Sequence, residues 1–131
     1  MDDHESVEEL TGGIQKHTTW QGRRVRALRP WGEDKALCEA VNHGGFLING
    51  FRNRDLQGLL YGSEAETPEE RRRRSSAISR KLRMLRAHGL IQKVPCSHRY
   101  HVTEKGRSIL IAVLTTARTS LEQLNQLPQA A

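Results

Sequence analysis

The side chains of this chain best suited to chemistry lie between Arg72 and His101, and their chemistry is hydrogen bonding and charge pairing. Arg72, Arg73, Ser76, Ser79, Arg80 and Arg83 recur along one segment, and Lys93, His98 and Arg99 follow closely. Guanidinium forks and hydroxyls of this kind grip oxygen-rich anions and hydrogen-bonding edges. Bond-making chemistry has no such foothold. There is no phosphate-cradling glycine loop and no nucleophile elbow, and adjacent carboxylates occur only near the N-terminus and at helix starts. We therefore expect no enzyme and no cofactor. Cys96, His98 and His101 fall within six residues. In an extended stretch, however, His101 points away from the other two, and the spacing matches no structural zinc pattern. No metal site is expected.

Charge is unevenly spread. Residues 68–107 hold 12 Lys/Arg against 3 Asp/Glu, while the other 91 residues hold 9 against 12. The whole excess of +6 thus belongs to one stretch, which is the electrostatic footprint of a polyanion partner. Aromatic content of 5% is poor for binding single strands by stacking. No apolar run approaches the ~18–20 residues of a membrane span, no signal peptide is evident, and two cysteines form no framework. A cytoplasmic setting is the expectation.

The elements that must position these side chains are legible from local signals. Thr67 is placed as an N-cap, Pro68 as the first helical residue, and Glu70 where it can close a capping box. Gly89 is placed to stop the helix after His88. At 100° per residue, Leu82 and Leu85 fall within about 40° of Ile78, while Arg73, Ser76, Arg80, Arg83 and Ala87 lie about 140–220° away. Such a helix is apolar on one side and cationic on the other. A rod seated in a core and facing a DNA major groove needs that division. A merely solvated basic face is the plainer alternative.

The remaining chain frames this helix. Residues 1–9 carry five acids and no Lys or Arg and are expected to be disordered. Residues 10–29 carry Lys16, Arg23, Arg24, Arg26 and Arg29 and no acid. They read either as an arm entering a minor groove or as a tail attracted to its own acidic half. Val25, Leu28 and Trp31 begin to touch the domain. A helix follows over Glu33–His43, then a short strand or extended link over Gly45–Phe51 whose Phe46 and Phe51 plug the core. Asn53 is placed as N-cap of a second helix, with Asp55 in its first turn and Gly62 at its end. After the basic helix, Gln92–Val94 and Arg99–Thr103 form a hairpin about a Pro95–His98 turn. Tyr100 and Val102 face inward, leaving Arg99 to project outward with the turn. Thr103 caps a last helix from Glu104 to about Gln126. Its series Leu110, Leu114, Ala117, Leu121, Leu124 steps by 4, 3, 4, 3. That spacing serves either a coiled-coil partner or a fold back onto the core.

Two segments within Arg80–Arg107 now carry a likeness. Leu85–Ile91 (LRAHGLI) and Tyr100–Gly106 (YHVTEKG) resemble the end of the recognition helix and the end of the wing in winged helix-turn-helix regulators of the MarR type. The resemblance extends over about Asp34–Leu114. It departs at residues 1–30, which do not look like the dimer-building leading helix of that family, and at the early start of the basic helix. The resemblance implies a mainly α fold with a small β-hairpin: a three-helix core, a wing and a long C-terminal helix. Residues 1–30 would be a flexible tail, acidic then basic, 31–108 the DNA-binding domain, and 109–131 the C-terminal helix, a possible dimerisation element. It implies a sequence-specific double-stranded DNA-binding protein, a bacterial transcriptional regulator. Ser76, Ser79, Arg80 and Arg83 would face the major groove, with Arg72, Arg73, Lys93, His98 and Arg99 on phosphates and in the wing. A homodimer through the C-terminal helix is expected; a small-molecule effector is left open. The competing readings are a winged-helix protein-docking module, an RNA- or ribosome-associated module, and an accessory DNA-binding factor of a mobile element.

Overall fold

The computed structural model describes residues 13–14 and 16–126, with side chains through 116. The acidic stretch 1–9 lies outside the described residues. In chain order the elements are β1 (Thr18–Trp20), β2 (Arg23–Val25), α1 (Lys35–Val41), a 3-10 turn (Gly44–Phe46), α2 (Asn53–Tyr61), α3 (Pro68–Ala87), β3 (Ile91–Lys93), β4 (Tyr100–Val102) and α4 (Glu104–Gln126). The chain is mainly α, with two small antiparallel hairpins among the described residues. No described helix is long and apolar enough to cross a membrane.

α3 forms where its caps place it. Thr67 Oγ1 accepts the Glu70 N–H at 3.1 Å, and Pro68 occupies the first turn. The capping box stays half closed. The Glu70 carboxylate turns to Arg74 (2.8 Å) and to the N–H of Glu66 (3.4 Å) instead of the cap's own N–H. At the other end Gly89 takes φ +75°, and the Leu90 N–H donates to the Leu85 carbonyl at 2.9 Å. This left-handed stop satisfies carbonyls the helix would otherwise orphan.

The core lies where α1, α2, α3 and α4 converge. Leu37 and Val41, Leu56, Ile78, Leu82 and Leu85, and Ile109, Leu110 and Val113 are all buried there together with Phe51. Phe51 forms a single-residue bridge to Tyr100, with N–H···O bonds of 3.0 and 2.8 Å, so the 45–51 link does pair with the hairpin edge. β3 and β4 pair Ile91 with Val102 and Lys93 with Tyr100. Thr103 then locks α3's exit to α4's entry. Its Oγ1 donates to the Gly89 carbonyl (2.7 Å) and accepts the Gly106 N–H (2.9 Å). A Cβ on Gly106 would lie within 3 Å of the Leu90 backbone, so the Thr-x-x-Gly spacing has a packing cause: only glycine lets the two segments meet.

Several expectations are corrected. Residues 13–30 are not a loose tail. β1 and β2 pair about a two-residue turn in which Gln21 (φ 51°) and Gly22 (φ 79°) both adopt positive φ, the backbone that a tight hairpin requires. Ile14, Val25 and Leu28 are buried in the shared core. Trp31, by contrast, stays largely exposed. α1 spans only Lys35–Val41 and not Glu33–His43; Asp34 holds the N-cap position, with its carboxylate bonded to Arg26 and to the N–H of Arg29 and not to the helix's first N–H groups. Asn53 is not an N-cap. Arg52 occupies that position, the Asp55 carboxylate accepts its N–H at 2.8 Å, and the Asn53 amide reaches across to α3. Ala87 packs partly against the core, and Met84 and His88 are buried as well; the N-terminal segment lies along this end of α3, with the Arg26 carbonyl 2.9 Å from His88 Nε2 and the Trp20 ring beside Arg86.

Candidate nucleic-acid interface

The seat of α3 is decided by area removed from water: Ile78, Leu82 and Leu85 are at most 3% exposed. Each such aliphatic side chain contributes about 1.5–3 kcal/mol by burial, enough to fix which face turns outward. On that outer face Arg72, Arg73, Ser76, Ser79, Arg80 and Arg83 are all exposed. None of these arginines joins an ion pair among the described residues. Arg74, in the same run, does not belong to this face. It donates to Glu70 and to the Ser63 carbonyl (2.7 Å) and stacks over Tyr61 at 4.6 Å, stapling α2 to α3.

The β3–β4 turn comes close to α3. His98 and Tyr100 share a cleft of about 420 Å³ with Ser75, Ser79 and Leu82 of α3 and with Arg52, Asn53, Arg54 and Gln57 at the start of α2. Across it the Asn53 amide donates to the Ser75 carbonyl (3.0 Å) and to Ser79 Oγ (3.1 Å), while Gln57 donates to Asn53 Oδ1 (2.6 Å). Ser79 therefore keeps its own hydroxyl proton free to donate. Lys93 stands exposed on β3. Arg99 behaves differently. It is half-buried, and its guanidinium donates to the Asn49 carbonyl at 3.2 Å, tying the hairpin to the loop before Phe51. The outward projection expected of it is reduced, though other guanidinium N–H groups remain.

Arg52, Arg54 and Gln57 belong to the same surface and were not among the residues singled out in the sequence. Their signal was a pair of arginines flanking Asn53 at a helix start, where the first backbone N–H groups add positive potential. Cys96 is exposed in the turn at φ 58°, and no group of three or more His, Cys, Asp or Glu among the described residues is arranged to hold a metal ion. Cys38 is fully buried, and that burial pushes its thiol up to about 12.

The arrangement is thus a cationic rod flanked by a helix N-terminus and a hairpin turn that meet it in one cleft. It can offer guanidinium and hydroxyl donors to a long anion lying along α3. No family model, no curated protein and no solved structure matches the chain.

Proposed function

We propose that the chain is a winged helix-turn-helix protein that binds double-stranded DNA sequence-specifically and acts as a cytoplasmic bacterial transcription regulator of MarR-like type. One observation carries this reading: the apolar stripe of α3 is sunk in the core while Ser76, Arg80 and Arg83 are exposed, and His98 of the hairpin turn shares a cleft with Ser79 of the same helix. In this reading α2 and α3 form the helix-turn-helix and β3–β4 is the wing. Ser76, Ser79, Arg80 and Arg83 approach base edges, where one bidentate arginine–guanine pair is worth about 1–3 kcal/mol of discrimination. Arg72, Arg73, Lys93 and His98 hold phosphates, with Arg99 beside them and Arg52 and Arg54 added from α2. Phosphate contacts fix register without reading sequence.

Two-fold assembly through α4 is part of the proposal, on a narrower surface than the sequence spacing suggested. Leu110 is committed to the chain's own core, whereas Ile111 is about half exposed. Selection of bound sites from a random duplex library tests both points. Enrichment of a palindromic motif supports the reading. Enrichment of no motif, or stronger competition by structured RNA than by duplex DNA, counts against it.

A further inference from the structure

The hairpin β1–β2 is held firmly and is strongly basic, and nothing in the α3 surface requires it. The Leu28 N–H donates to the Ile14 carbonyl at 2.7 Å, and His88 Nε2 lies 2.9 Å from the Arg26 carbonyl. The Arg86 guanidinium sits over the Trp20 ring at 5.3 Å. Its cations are also sorted. Arg26 and Arg29 pair with Asp34 and Glu33, the Arg26–Asp34 bonds being 2.7 and 2.8 Å. Lys16, Arg23 and Arg24 are exposed and enter no ion pair among the described residues. Lys16, His17, Arg24, Arg26 and Ala27 line an open cleft of about 820 Å³.

Position links this hairpin to the α3 surface. Arg83 and Arg86 are one turn apart, with Cβ atoms about 5–6 Å from each other. From Arg86 it is 5.3 Å to the Trp20 ring. Trp20 pairs in register with Arg23, a cross-strand separation of about 4.5–5.5 Å. Arg23 is therefore joined to Arg83 through an unbroken series of neighbours, Arg86 and Trp20. A major groove is about 12 Å wide. Cations on a hairpin packed against the flank of a rod seated in that groove are on the side where the flanking sugar–phosphate backbone runs, and duplex DNA presents one charge there per ~1.7 Å.

We propose that β1–β2 is a second grip on the same duplex, in which Lys16, Arg23 and Arg24 hold the phosphates flanking the groove that α3 occupies. This rests on the reading of α3 as the groove-facing helix. The grip adds affinity and salt dependence without sequence preference, because phosphates are alike at every base pair.

The test is binding of the full chain to a mixed-sequence duplex of about three helical turns, ~10 base pairs each, by fluorescence anisotropy between about 50 and 200 mM salt. Each phosphate contact contributes about 0.9 to the log–log salt slope. The Lys16→Ala/Arg23→Ala/Arg24→Ala variant is expected to have a slope shallower by about 1–3 than wild type. It should keep its relative preference among duplex sequences. Arg24→Ala alone, expected to flatten the slope by about 0.9, serves if the triple variant loses its thermal transition. A slope equal to wild type in a folded variant overturns the second grip and leaves the α3 reading standing. A wild-type chain that binds structured RNA or an acidic peptide in preference to duplex overturns both.

Discussion

Asp34 is fully buried and accepts hydrogen bonds from both terminal nitrogens of Arg26 and from the Arg29 N–H at 2.8 Å. Burial by itself raises a carboxyl pKa. Here the Arg26 guanidinium and the Arg29 N–H outweigh it and hold Asp34 below the usual carboxylate range. The sign of the pH dependence follows. A carboxyl depressed in the folded state contributes its full stability above the unfolded value of about 3.9 and loses it as pH falls through the folded value. We expect Asp34→Asn to lower stability by about 1–3 kcal/mol at neutral pH, below the ~3–5 kcal/mol of a fully buried broken pair because Arg26 remains partly solvated. The variant should also show a flatter loss of stability below about pH 4. Thermal unfolding followed by circular dichroism across that range checks both. A wild-type midpoint at neutral pH would show that the pair contributes nothing. Such a site was not visible in the sequence, where Arg26 read as one cation of a basic arm.

At the scale of the element, α3 joins two opposite requirements on one rod. Its apolar stripe supplies the burial that anchors it, and its far side keeps arginines that could otherwise have been neutralised by nearby carboxylates. Glu70 is in reach of the run, and its partner is Arg74, which points toward α2. The hairpin β3–β4 adds Lys93 from a different element, with a different expected role. Arg80→Ala is expected to weaken binding to a selected duplex by about 1–3 kcal/mol more than to a random one. Lys93→Ala should weaken both about equally and flatten the salt slope by about 0.9. Paired titrations at fixed salt distinguish these, and equal losses for the two variants would count against the division of roles. The helix itself was readable in advance: Thr67, Pro68, the Ile78–Leu82–Leu85 stripe and Gly89 each act through neighbours a few residues away. The role of Asn53 was not, because its amide looks outward to Ser75 and Ser79 of another helix.

For the whole molecule, the consequential finding is that Ile14, Val25 and Leu28 of the N-terminal segment are part of the core. Each of the three is at most 8% exposed, and the Arg26 carbonyl meets His88 at the end of α3. At about 1.5–3 kcal/mol for each buried aliphatic side chain, their removal costs a large share of the ~5–15 kcal/mol that keeps a domain folded. A chain beginning at residue 31 is therefore expected to lose its cooperative thermal transition or to unfold at much lower denaturant. A truncated chain with the wild-type midpoint would return the segment to the status of a tail. The turn signal was present as Gln21-Gly22 between residues favouring strand, but the five cations of the segment read more loudly as an arm.

The sequence by itself determined α3 with its Thr67 cap and Gly89 stop, the hairpin after it and the buried stripe, because those features depend on side-chain period and on hydrogen bonds within a turn. Thr103 and Gly106 belong there too, as a spacing whose cause is a close backbone approach. Only the tertiary structure decided which cations stay free. Arg74 is taken up by Ser63, Arg26 by Asp34, and one N–H of Arg99 by Asn49. His88 is held by a carbonyl 62 residues away. Whether a charged side chain faces water or a partner depends on what the fold carries up to it, and local periodicity contains no record of that.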